Sequence, residues 1–188
     1  MTRIVIDGNI SSGKSTQFDM LSDYNVLSER IYDWPLELFY EDKSRWALLL
    51  QFSILKSFSA NKDSYDIFER SPESSKDVFW RMLMDDKIVT KEEDDIYRYY
   101  WGKCGWVPDI FIYINTPPEV CFERLQSRSQ DGDSKITLEY LQKVSSYYVD
   151  YIRSKKQNLY IVDGTMTPEK INKKIRDILR QCLGDAVA

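Results

Sequence analysis

Three observations predict an α/β fold with a five-stranded parallel sheet and helices on both faces. Five short apolar runs, at 4–6, 25–28, 65–68, 110–114 and 159–162, alternate with longer segments of helical spacing. The first run, Arg3-Ile4-Val5-Ile6-Asp7, is apolar and β-branched, as a strand covered on both faces must be. A glycine loop then leads into a helical stretch at 13–23, with Phe18, Met20 and Leu21 as its apolar positions. A chain of 188 residues suits one domain, spanning 1–188, with a sizeable core.

The remaining helices fall between the strands. Segments 36–40 and 46–59 follow the second strand, 74–84 and 92–100 the third, and 119–128 and 138–155 the fourth. Segment 168–183 closes the chain, with Pro168 at the helix start after Thr167.

The loop is Gly8-Asn9-Ile10-Ser11-Ser12-Gly13-Lys14-Ser15, which fits the phosphate-binding pattern G-x-x-x-x-G-K-[ST]. Between a strand and a helix, its backbone N–H groups can surround a phosphate chain. Lys14 would add positive charge near the outer phosphates, facing solvent when the loop is empty. The Ser15 hydroxyl could sit on Mg²⁺.

Composition excludes several classes. A net charge of −4 without a basic tract gives no nucleic-acid footprint. No apolar run of about 18 residues and no signal-peptide pattern occurs, so no membrane role and a cytoplasmic location are expected. Cys104, Cys121 and Cys182 are widely spaced, which argues against a zinc site or disulfide framework. Histidine is absent, so a general base must come from another side chain, most simply a carboxylate.

Parallel sheets bind ligands beyond the carboxyl ends of their strands. The second strand ends in Ser28-Glu29-Arg30, the third in Glu69-Arg70-Ser71 and the fifth in Asp163-Gly164-Thr165. Two Glu-Arg pairs beside a phosphate loop make Glu29, Glu69 and Arg70 site candidates. Arg124 and Arg128, four apart, share a helical face that leads into a polar loop at 129–134. They suit either a solvated helix end or a lid that brings arginines onto a phosphoryl group.

These motifs, in this order, resemble the deoxynucleoside kinases of the mitochondrial thymidine, deoxycytidine, deoxyguanosine and insect multisubstrate type. The resemblance runs from about residue 4 to 164. It is carried by the glycine loop through Thr16, by Glu29 and Trp34 in register, by Tyr40 and the Trp46–Gln51 pairing, by Glu69-Arg70-Ser71, and by Pro118-Glu119-Val120 followed by Arg124 and Arg128. Arg30 stands where the family has proline, Gln130 where it has a third lid arginine, and Gly132-Asp133 where it has paired glutamates. A short chain without a targeting extension would suit a compact viral member, with host cytoplasm as its location.

The resemblance implies a P-loop kinase fold with an arginine-bearing lid, and transfer of the γ-phosphoryl of ATP to the 5′-hydroxyl of a deoxynucleoside. Glu29 would be the base, Arg70 its orienting partner, and Lys14 and Arg128 the stabilisers of phosphoryl charge. Ser15 and Glu69 would hold Mg²⁺. Arg124 and the Asp163-Gly164 turn would border adenine. Trp34 and Phe79 would stack on the base, Gln51 would read its edge, and Tyr40 and Asp133 would hold the 3′-hydroxyl. Phe58 and Ser75 stand where relatives favouring deoxycytidine or purines carry an arginine and an aspartate. Thymidine is therefore expected first and deoxycytidine second, with purines crowded by Trp34, Phe58 and Phe79. Segments 46–59 and 78–84 hold more apolar residues than one buried face needs, so a homodimer is expected. A nucleoside monophosphate kinase would want more arginines in the acceptor segment. A GTP switch would want Asp-x-x-Gly and Asn-Lys-x-Asp, which the chain lacks; its Asn172-Lys173-Lys174 is followed by Ile175.

Overall fold

The computed structural model describes residues 2–128, 135–155 and 158–183. Five parallel strands form one sheet in the order β2-β3-β1-β4-β5. They are β1 (Ile4–Gly8), β2 (Val26–Leu27), β3 (Ile67–Glu69), β4 (Ile110–Asn115) and β5 (Asn158–Asp163). Each predicted strand is found within a few residues of its predicted bounds. All five positions of β1 are buried, because helices cover both faces of the sheet centre. β5 closes one edge and buries only Val162 of its six residues.

Alternation along the strands splits the core in two. Val5, Phe68, Phe111 and Tyr113 face one side. Ile4, Ile6, Ile67 and Ile112 face the other. The first side packs against α3 (Lys43–Asn61), α5 (Arg81–Asp85), α6 (Lys91–Cys104) and α8 (Leu138–Ser154). The second packs against α1 (Lys14–Asp19) and α9 (Pro168–Leu183), through Phe18, Ile171, Ile175 and Leu179. Each such fully buried side chain contributes roughly 1.5–3 kcal/mol of transfer free energy.

Helix bounds differ from expectation where side chains act on the backbone. α1 stops at Asp19 rather than running to 23. The Arg176 guanidinium takes the Met20 carbonyl at 2.6 Å, and tight three-residue turns follow at Leu21 and Tyr24. Leu21 stays buried, whereas Met20 is only half-buried. α2 (Leu36–Glu41) hands over to α3 at Asp42, whose carboxylate accepts the Arg45 N–H, so α3 starts three residues early. α6 starts at a capping box between Thr90 and Glu93.

The predicted helix at 74–84 is three joined pieces. α4 (Pro72–Ser74) begins at a Ser71 cap, a π-helical stretch (Ser75–Trp80) follows, and α5 completes the rod. α7 (Pro118–Arg128) precedes the segment at 129–134, which lies outside the described residues. No helix among the described residues is long and apolar enough to cross a membrane.

Candidate active site

The strand order changes direction at β1, and its carboxyl end opens onto the glycine loop, as the rule for such sheets requires. Gly8 lies so close to β4 that a Cβ there would sit 2.7 Å from the Ile114 carbonyl oxygen. Gly13 takes φ +104°, a value that side chains disfavour. Asn9 fixes the loop from below: its amide donates to the Leu141 carbonyl at 2.9 Å, and its Oδ1 accepts the Ile10 N–H at 2.8 Å.

Lys14 departs from expectation. It is buried, not solvent-facing, and its Nζ donates to the carbonyls of Asn9 at 3.0 Å and Gly8 at 3.3 Å. The Gly8 and Asn9 carbonyls turn toward the lysine, and the ammonium fills the space between them. Burial, and then the Arg70 charge, hold the Lys14 pKa below its usual value.

The two strand-end acids meet beside the loop. Glu69 Oε1 accepts the Ser15 hydroxyl at 3.1 Å, and its Oε2 accepts the Glu29 N–H at 3.1 Å. A hydroxyl and a carboxylate converging at the loop are hard oxygen donors that fit Mg²⁺, which takes few protein ligands and keeps waters. Arg70 has a left-handed backbone, φ 66°, which turns its side chain across the end of β1. Its Nε pairs with Glu29 Oε1 at 2.9 Å. Burial raises the Glu29 pKa, and the Arg70 charge partly opposes the rise.

Behind Arg70 lie two residues that the motifs did not single out. Asp7 Oδ1 pairs with Arg70 Nη1 at 3.1 Å and accepts the Tyr148 hydroxyl at 2.7 Å. The same Nη1 donates to the Tyr148 oxygen. Asp7 stood in the sequence as the last residue of a strand, and Tyr148 as one aromatic among many on α8. The only available signal was an acid immediately before the loop.

A cavity of about 720 Å³ runs from the loop to the helices above the sheet. Lys14, Ser15, Thr16, Ile10 and Ser11 line its loop end, and Glu29, Glu69 and Arg70 its middle. Trp34, Tyr40, Gln51, Phe58, Ser75 and Phe79 line its far end. There the Ser75 hydroxyl donates to Gln51 Oε1 at 2.8 Å, and Phe79 lies under the Arg70 guanidinium at 5.0 Å. Phe58 is almost wholly buried and meets Trp106 edge-on. Ile54, Met82, Leu83, Ile136 and Tyr140 are among the other residues of a mostly apolar wall. Sequence reading did not single these out, since four are plain aliphatic or thioether side chains and Tyr140 is one tyrosine of 13.

A family model for deoxynucleoside kinases matches residues 4–185. The chain belongs to the deoxynucleoside kinase family. A protein of Invertebrate iridescent virus 3, described as a kinase, is 32% identical over 95% of this chain and 97% of its own length. Mitochondrial thymidine kinase 2 of Homo sapiens is 29% identical over 79% of this chain and 63% of its own. In fold, the chain is similar to deoxyadenosine kinase from M. mycoides, solved with dCMP and dCDP bound. The TM-score is 0.84 at 20% identity, over 96% of this chain and all of that one.

In this family member the α7 arginines take different places. Arg124 bridges two backbone carbonyls, Ser12 at 3.2 Å and Gly164 at 2.8 Å, and so ties the loop to the end of β5. Thr116 also donates to the Ser12 carbonyl, at 3.1 Å, and a Cβ on Gly164 would strike the Thr116 hydroxyl. Arg128 reaches the cavity wall. Asp163 does not line the cavity; its carboxylate accepts the Thr165 N–H and hydroxyl and closes its own turn. Gly8, Asn9 and Ser12 lie beneath the loop surface and shape it from inside. Asp133, Gln130 and Gly132 lie outside the described residues.

Proposed function

We propose that this protein transfers the γ-phosphoryl of ATP to the 5′-hydroxyl of a deoxynucleoside, with thymidine as the best acceptor and deoxycytidine second. The observation that carries the reading is the Glu29–Arg70 pair, 2.9 Å apart, midway between a phosphate loop and an aromatic compartment of one cavity. Phosphoryl transfer needs positioning and charge stabilisation more than covalent help. Glu29 takes the hydroxyl proton, and burial gives it the raised basicity that a base near neutral pH needs. Arg70 holds Glu29 and the hydroxyl in line. Lys14 leaves the loop carbonyls for the phosphate oxygens, and Arg128 adds positive charge from α7. Arg124, fixed on Ser12 and Gly164, offers a flat guanidinium edge to adenine. Ser15 and Glu69 would hold Mg²⁺, which would supply charge neutralisation at the outer phosphates when bound.

The acceptor compartment supports a neutral, flat substrate. Trp34 and Phe79 provide stacking faces, Gln51 a donor and an acceptor for a pyrimidine edge, and Tyr40 a hold on the 3′-hydroxyl. Phe58 and Ser75 bring no charge to the base, which favours thymine with its methyl group. Two-ring bases meet Met82 and Leu83 as well as Phe79. We read the chain as one kinase domain acting as a homodimer in the cytoplasm.

The test compares thymidine, deoxycytidine, deoxyadenosine and deoxyguanosine with ATP and Mg²⁺. Thymidine should exceed the purines by at least a few kcal/mol in kcat/KM, as unpaired polar edges dictate. A purine as best substrate overturns the preference and leaves the kinase reading intact; no phosphorylation of any of the four overturns both.

A further inference from the structure

We infer that Tyr148, acting with Asp7, is a positioning residue that sets the plane of the Arg70 guanidinium; this rests on the kinase reading of the site. The phenol is wholly buried and does not itself line the cavity. Its hydroxyl donates to Asp7 Oδ1 at 2.7 Å and accepts from Arg70 Nη1. Asp7 Oδ1 also takes the Gly8 N–H at 2.7 Å, so the carboxylate is anchored to the first residue of the loop. A guanidinium is rigid and planar. Fixing Nη1 against two acceptors therefore fixes where Nε points, and Nε is the atom that meets Glu29. The Phe79 ring at 5.0 Å keeps the plane from tilting.

The arrangement also gives the buried phenol at this point of α8 a role. Asp7, Glu29 and Glu69 surround Arg70 with three carboxylates, any of which the guanidinium could choose. A neutral hydroxyl on the Asp7 side occupies that carboxylate without adding charge, and leaves the Nε edge for Glu29. Tyr148 sits two turns beyond Tyr140, which lines the cavity wall. One rigid helix thus carries both a cavity residue and the residue that aims the arginine.

The test is Tyr148→Phe, which keeps the ring and removes the hydroxyl. kcat for the best deoxynucleoside should fall about 10- to 100-fold, as small misplacements of a reacting group do. KM should change less than about threefold, since binding contacts are untouched. The decisive readout is non-additivity: in an Arg70→Lys background, which has no planar fork to aim, Tyr148→Phe should cost nothing further. Unchanged kcat in Tyr148→Phe, or an equal added loss in the Arg70→Lys background, overturns the inference. If Tyr148→Phe does not fold, Asp7→Asn takes its place with the same two readouts. A wild-type enzyme that phosphorylates no deoxynucleoside removes the kinase reading and this inference with it; an active wild type with an unaffected variant removes the inference alone.

Discussion

The Lys14 ammonium lies 3.0 Å from the Asn9 carbonyl oxygen, inside the loop whose phosphate it would serve. The lysine therefore has two sets of partners, backbone oxygens in one state and phosphate oxygens in the other. Lys14→Ala removes both. Its phosphoryl transfer should drop by about 10² to 10³ or more, the scale of losing one preorganised charge at a transition state. Its melting temperature should also fall, because the Gly8 and Asn9 carbonyls lose a buried donor. Near-normal turnover in a folded variant would end the phosphoryl-transfer reading.

Glu29→Gln keeps the side-chain shape and the backbone contact to Glu69, and removes the proton acceptor. kcat should fall by about 10²- to 10⁴-fold while nucleoside binding holds up better. An unchanged kcat with a raised KM would make Glu29 a binding residue.

Asp94 gives a prediction on stability. Burial raises its pKa, but the Arg98 guanidinium and the Trp80 indole N–H, each at 2.7 Å, outweigh burial and hold it below the usual value. A group depressed in the folded state stabilises above its unfolded pKa, and that contribution is lost as pH falls through the folded one. Asp94→Asn should lower the melting temperature at pH 7. The gap to wild type should close below about pH 4, near the unfolded carboxylate value. A gap constant from pH 7 to pH 3 would show that Asp94 acts without its charge.

The homodimer is expected through apolar surface that segment 46–59 keeps in part and segment 78–84 mostly buries. Val78, Met82 and Leu83 are buried within the chain, so segment 78–84 has little left for a partner. Leu49 on α3 and Ile96, Tyr99 and Tyr100 on α6 remain exposed, on two helices that contact each other. A symmetric pairing through this face is expected. Light scattering at micromolar concentration should give twice the chain mass, and Leu49→Glu should return the monomer. A monomeric wild type would refute the pairing.

The sequence made the strands legible because β1 opens on Ile-Val-Ile and β4 is a run of isoleucine and aromatic residues, and it made the loop legible because Gly8, Gly13 and Lys14 answer to fixed backbone needs. It did not show where α1 ends, since that depends on Arg176, more than 150 residues away along the chain. Nor did it show the Asp7–Tyr148 pair or the apolar wall at Ile54, Met82 and Leu83. Those positions look like ordinary core until the chain closes on itself. The burial of Lys14 was hidden for the same reason: its partners are backbone carbonyls, which no residue type announces.

The π-helical stretch at Ser75–Trp80 has a consequence for how this chain can change. Such a stretch holds one residue more than an ordinary helix of the same span. Deleting a single residue there would restore regular winding over the same span and leave what lies beyond nearly in place. Met82 and Leu83 would keep their place on the cavity, and Arg81 its place facing Asp150 across to α8. Ser75 and Phe79, within the stretch itself, would no longer both reach the pocket. Length in these six residues is thus a heritable setting of pocket shape, one that a tally of matched residue types between relatives would pass over.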